Sequence, residues 1–199
     1  LEYNFDEDFT QGTAKDSAGE NDAALSDGAV YVQDDSYGQV LYLDGDSGDS
    51  MGGHDSYLSF PEGFFDGMDS MTISMDVNEV SRTGNYFTFA IGQDRNDYFF
   101  LKTEPTTLKL AITTNTWSGE QVATASGAYP NNSRTWMNIK LVVTPDRISM
   151  YRNGELIAEQ NVTVSMSDLG EDLKAYLGKS FYEEDMYFRG FFDNVKVYD

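Results

Sequence analysis

Cysteine is absent from this chain, proline occurs four times, histidine once, and the 13 basic residues are outnumbered by 34 acidic ones. Without cysteine there is no disulfide framework, no thiol nucleophile and no thiolate metal site. A chain of 199 residues buries roughly 70% of its unfolded surface and needs no covalent staple. That absence is ordinary in a bacterial extracellular or cytosolic protein. The single histidine, His54, sits in a glycine-rich loop, and no G-x-S-x-G sequence accompanies it, so acyl-transfer chemistry lacks its parts. The shortage of bases leaves a net charge of −21. DNA, RNA and anionic membrane surfaces would be repelled, whereas neutral ligands, basic ligands and metal cations would not. No stretch approaches 18 consecutive apolar residues, which argues against membrane insertion. The chain begins at Leu1 without an initiator methionine and ends at Asp199 directly after a strand-like run. These ends suggest a module linked to other domains in a longer polypeptide.

What is present is alternation of period two, the mark of a pleated strand with one buried face. Met71, Ile73, Met75 and Val77 alternate with Thr72, Ser74 and Asp76; Met137, Ile139, Leu141 and Val143 alternate with Asn138, Lys140 and Val142. Ile148 and Met150 continue the pattern. Asn153-Gly154 follows, a strong hairpin signal because a type I′ turn needs positive φ at both central residues. Leu156 and Ala158 then share one face. Phe87, Phe89 and Ile91 read as one face of another strand, with Tyr86 and Tyr98 directed away from it. Residues 7–27 show no period and read as a polar loop, and 165–173 holds the one helical turn. About a dozen short strands with almost no helix predict an all-β fold, a two-sheet antiparallel jelly-roll sandwich forming a single domain over 1–199.

Three ordered pieces sharpen that expectation. The start carries Y-N-F-D-E, K-D-S-A-G-E-N-D-A-A-L, V-L-Y-L-D-G and Y-L-S-F-P. The middle carries W-M-N-I-K-L-V-V and I-S-M-Y-R-N-G-E-L-I-A, and the end F-R-G-F-F-D-N-V-K-V-Y. In that order the chain resembles a laminin-G-like domain of the concanavalin-like jelly-roll class, and the resemblance spans nearly its whole length. The first loop departs from the family in being more acidic, Glu20-Asn21-Asp22. The resemblance implies a bacterial extracellular or cell-surface protein. In such proteins these domains sit beside glycoside hydrolases and bind carbohydrate, or merely space other domains. It also implies a structural calcium ion tying the N-terminal segment to the last strand. The matching oxygen donors are Asp6, Asp16, Asn21, Asp22 and Asp193, of the hard-ligand type that Ca²⁺ takes six to eight of. Asp193 reads as sharing a face with Val195 and Val197. The loop from Asp44 to Ser50 is acidic but lacks the spacing of an EF-hand.

Sugar rings present C–H faces and hydroxyl edges, so a site for them needs flat apolar platforms beside hydrogen-bonding groups. Trp117, in the polar loop N-T-W-S-G-E, has no alternation to bury it and is the leading platform. Tyr86 and Tyr98 join it, with Asp94, Arg95 and Asn96 as polar partners and Tyr182 as an addition; Trp136, opening a core strand, reads as structural. Glu183, Glu184 and Asp185 are adjacent in a turn rather than alternating along a strand, so no hydrolytic carboxylate pair is evident. The expectation is a monomeric, non-catalytic glycan-binding accessory module. A spacer or protein-adhesion domain is the alternative, and a glycoside hydrolase a third.

Overall fold

The computed structural model describes residues 1–48, 52–80, 86–103, 106–127 and 135–199, the side chain of Tyr86 excepted. It is a sandwich of two antiparallel sheets. The first contains, in spatial order, β14 (Glu155–Asn161), β13 (Arg147–Arg152), β12 (Met137–Thr144), β7 (Met71–Glu79), β16 (Arg189–Tyr198), β5 (Gly38–Asp44) and β4 (Val30–Asp34), with β1 (Glu2–Tyr3) paired to the end of β16. The second runs β11 (Gln121–Ser126), β10 (Thr107–Thr113), β9 (Tyr98–Thr103), β8 (Tyr86–Gly92), β15 (Lys174–Leu177), β6 (Leu58–Ser59), β3 (Ala23–Leu25) and β2 (Thr13–Ala14). The all-β expectation therefore holds.

The alternating strands form the middle of the core. Ile139 lies opposite Met75 and Leu141 opposite Ile73, and all four are buried against Phe89, Phe99 and Leu101 of the facing sheet. Each such side chain withdrawn from water stabilises the fold by about 1.5–3 kcal/mol. The β13–β14 hairpin turns at Asn153 (φ 50°) and Gly154 (φ 85°), both in the left-handed region that the turn requires.

The polar loop expected over 7–27 is in part sheet. Thr13–Ala14 pairs with Ala23–Leu25, which in turn pairs with β6. Strands of two and three small residues carry too few positions to show a period, and their pairing comes from the neighbouring sheet. The helical turn over 165–173 is a short 3-10 turn, Met166–Leu169, whose entry is capped by Ser165 and Asp168.

Three β-bulges overturn three assignments of face. An extra residue in one strand shifts every later side chain to the other side of the sheet. Between Phe87 and Phe89 the register slips past Thr88; Phe89 enters the main core, whereas Phe87 joins a separate cluster with Ala90, Tyr98, Phe100 and Ala111. Between Met150 and Tyr151 the partner strand carries Ile157 as its extra residue. Ala158 accordingly packs on the core while Leu156 is 45% exposed. Between Asp193 and Lys196 a third slip occurs, at Asn194 with φ 48°. Asp193 pairs with Asp76 on the outer face, and Val195 and Val197 enter the core.

Candidate functional site

The outer face of the second sheet carries the candidate site. Tyr98, Phe100 and Lys102 of β9 project there, opposite the core residues Phe99 and Leu101. The bulge at Thr88 adds Phe87, and its ring centroid lies 4.6 Å from that of Phe100. This apolar floor underlies a cleft of about 400 Å³, bordered by Lys102, Lys109, Trp117, Glu120, Tyr182 and Glu184.

Trp117 stands at its mouth. It opens a 3-10 turn, Trp117–Gly119, and is 72% exposed. The loop holding it is fixed from both sides: Thr113 Oγ1 donates to the Thr116 carbonyl at 2.9 Å, and Thr116 N donates to the Asn96 carbonyl at 3.0 Å. The predicted polar group, Asp94, Arg95 and Asn96, thus adjoins Trp117. Arg95 and Asn96 border the Trp117 end with Tyr182 and Glu184. Asp94 faces a neighbouring, larger cleft and accepts from Asn96 N at 2.7 Å.

Tyr98 is not a platform. It is 1% exposed, and its hydroxyl donates to Glu120 Oε1 at 2.8 Å while lying 3.2 Å from the Tyr182 hydroxyl. Tyr182 in turn donates to the Arg95 carbonyl at 2.9 Å, and Glu120 pairs with Lys109. These groups tie the Arg95 turn, the Tyr182 turn and β10 together beneath the cleft. Burial in that network pushes the Tyr98 phenol far above its usual range, with the Tyr182 and Glu120 contacts adding to it. Burial likewise raises the Asp185 carboxyl against the opposing hydrogen bond from Ser180. The Tyr86 side chain lies outside the described residues. Phe87, Phe100, Lys102, Lys109 and Glu120 were not anticipated. Consecutive aromatics such as Phe99-Phe100 point to opposite faces, and alternation alone does not say which face is core.

The five anticipated metal ligands fall into two groups, Asp16, Asn21 and Asp22 in the first loop, and Asp193 with the exposed Asp6, whose charge acts on it. Asp16 is 6% exposed, and its oxygens accept from Glu2 N and Ala18 N at 2.9 and 3.1 Å and from Asn21 N at 3.2 Å. Burial raises this carboxyl, but those donors outweigh it and hold it below the usual range. Asp22 bonds Lys15 Nζ and Asp16 N, which likewise lower it. N–H donors already engage the carboxylates of Asp16 and Asp22, which with Asn21 staple the loop together. Trp136 is structural as expected: it stacks on Tyr37 at 4.2 Å and donates to Asp34 Oδ2.

Asp193 differs. It is 4% exposed, and its Oδ1 has no hydrogen-bond partner. Its Oδ2 accepts from Asn194 Nδ2 at 2.9 Å, a donor shared with Asp76 at 3.0 Å. Burial pushes its carboxyl up to about 7, and the charges of Asp76, Asp6 and Asp34 push the same way. A buried carboxylate facing like charges with an unused oxygen fits a cation, although no group of three or more His, Cys, Asp or Glu among the described residues is arranged to hold one unaided.

A laminin-G family described as the concanavalin A-like lectin/glucanases superfamily matches residues 52–199. An alpha-L-arabinofuranosidase of Bifidobacterium longum subsp. longum is 32% identical over 95% of this chain, which spans only 18% of that enzyme's length. Among solved structures, domain 4 of AbnA, a GH43 extracellular arabinanase from Geobacillus stearothermophilus in complex with arabinotriose, aligns with a TM-score of 0.74 at 17% identity, covering 100% of this chain and 90% of that one. The Ruminococcus gnavus IT-sialidase CBM40 bound to α2,3 sialyllactose aligns with a TM-score of 0.60 at 15% identity, covering 80% and 88%. With the sandwich and the family match in agreement, the chain belongs to the concanavalin A-like lectin/glucanase superfamily.

Proposed function

We propose that this chain is a non-catalytic carbohydrate-binding module that docks an arabinose-containing glycan on the outer face of the second sheet, as part of a longer extracellular bacterial protein. One observation carries the reading: Trp117 is 72% exposed at the mouth of a cleft floored by Phe87 and Phe100 and walled by both lysine donors and carboxylate acceptors. Sugar hydroxyls donate and accept, and sugar C–H faces stack on rings, so a mixed wall around an aromatic floor suits a neutral glycan. The choice of arabinose draws on the arabinofuranosidase relative and on the arabinotriose held by the arabinanase domain. Extracellular placement draws on the same arabinanase. No helix among the described residues is long and apolar enough to cross a membrane.

Hydrolysis is the weaker reading. A glycosidase needs a second carboxylate free to act as base or nucleophile. Of the three cleft carboxylates, Glu120 is committed to Tyr98 and Lys109 and Asp185 to Ser180, which leaves Glu184 alone on the wall. Calcium belongs to the proposal as a structural ion at Asp193, with Asp76 and Asp6 beside it and further oxygens from backbone or water. Bound there, it would supply the positive charge that the buried carboxylate lacks.

Affinity electrophoresis in soluble arabinan tests the binding. The wild-type chain should be retarded, and Trp117→Ala should weaken binding about tenfold, about 1.4 kcal/mol. Unretarded wild-type migration through arabinan would favour the spacer or adhesion alternative.

A further inference from the structure

We infer that the ligand is an extended oligosaccharide, because the cleft beside Trp117 adjoins a second one, lined by Tyr176, Lys179 and Tyr187, that offers a further subsite. This rests on the sugar-binding reading above and goes beyond it in assigning a second site and a chain-like ligand. The second cleft holds about 630 Å³ and lies on the same outer face, bordered also by Asp55, Asp94 and Lys174. Tyr176 projects outward from β15 between the core residues Ala175 and Leu177. Its ring lies 5.7 Å from that of Tyr57, which lies 6.1 Å from Tyr187. Lys179 Nζ sits 4.3 Å from the Tyr57 ring and 5.0 Å from the Tyr176 ring. Rings, ammonium donors and carboxylate acceptors therefore recur in the combination found around Trp117.

The two clefts adjoin across one turn. Tyr182 and Asp185 border both. The turn bearing them is braced by its own bonds: Ser180 Oγ donates to Asp185 Oδ2 at 2.7 Å, Tyr182 N donates to Ser180 Oγ at 2.9 Å, and Asp185 N donates to the Tyr182 carbonyl at 3.2 Å. It stands between the two clefts, and a ligand spanning both would cross it. The strands that line the two clefts are β15, β8, β9 and β10, three inter-strand steps of roughly 4.8 Å, or roughly 14 Å in all. That is the length of several linked sugar rings. A single terminal ring would use one cleft and leave the other to water.

A ladder of arabinose oligomers from arabinobiose to arabinohexaose, titrated calorimetrically into the wild-type chain and into Tyr176→Ala, tests this. Affinity should rise about tenfold along the ladder. Tyr176→Ala should cancel that rise, so that arabinohexaose binds no more tightly than arabinobiose. Lys179→Ala, read the same way, serves where Tyr176→Ala does not fold. Equal affinity for the shortest and longest oligomers would overturn the second subsite and leave the binding module standing. A rise with length that neither variant alters would overturn it too, by placing the extension elsewhere. Failure of every oligomer to bind would overturn both readings together.

Discussion

At the scale of single residues, Trp117 and Asp193 are opposite departures from what a soluble fold ordinarily does with such groups. An indole 72% exposed leaves apolar surface in water, and a carboxylate 4% exposed with an unused oxygen takes charge out of it. The proposed partners, a sugar face for one and a cation for the other, would account for both. For Asp193 the sign of the pH dependence comes from the carboxyl being pushed up to about 7 from about 4 in an unfolded chain. The native state then holds the proton more tightly than the unfolded one. Its contribution to stability is complete below about pH 4 and is lost as pH rises through 7. Asp193→Asn imitates the protonated form. In chelator, the melting temperature of Asp193→Asn relative to wild type should therefore climb between pH 5 and pH 8. Added calcium should stabilise wild type at pH 8 and not the variant, since a ligand held only by the native state raises its stability. Parallel melting curves at all pH values, indifferent to calcium, would count against the ion.

At the scale of elements, the three bulges matter more than any strand. Each inserts one residue and re-aims the side chains beyond it. The bulge at Thr88 places Phe87 under the cleft instead of in the core, and the bulge at Asn194 turns Asp193 toward Asp76. The elements around the cleft are then locked by Tyr98, whose hydroxyl reaches Glu120 and approaches Tyr182. Tyr98→Phe keeps the ring and deletes this link. It should lower stability by about 0.5–1.5 kcal/mol in a urea melt and weaken oligosaccharide binding without changing the strand signature in circular dichroism. A variant as stable as wild type and with undiminished affinity would show that the network does not shape the cleft. Trp117 was legible in the sequence because a polar loop offers a tryptophan nothing to alternate with. Phe87, Phe100 and Tyr176 were not, because an aromatic in a strand looks the same whether it faces the core or the outside.

At the scale of the whole molecule, the net charge of −21 acts on everything at once. The few bases are unevenly placed: Lys102, Lys109, Lys174 and Lys179 border the two clefts, and Arg95 lies beside Trp117 next to them. The remainder of the surface is correspondingly more acidic and repels itself, which destabilises a compact state. Sodium chloride screens charges separated by more than about 10 Å at 0.1 M. Raising it from low to moderate concentration in chelator should therefore lift the melting temperature. A falling melting temperature would mean that attractive pairs such as Lys196–Glu2 outweigh the repulsion.

Local pattern alone determined the sandwich, the core strands β7 and β12 and the Asn153-Gly154 hairpin, because period and turn chemistry are properties of neighbours along the chain. It also marked Trp117 and the Asp94–Asn96 turn. Only the tertiary structure decided how each carboxylate is engaged, separating Asp16 and Asp22, which accept from N–H donors, from Asp193, whose Oδ1 has no hydrogen-bond partner. It alone decided on which side of each bulge a side chain falls, and hence that aromatics from β8, β9 and β15 meet on one outer face. The physical reason is common to all of these: hydrogen-bond saturation and register depend on the strand next door, which lies up to a hundred and more residues away, as Asp193 does from Asp76.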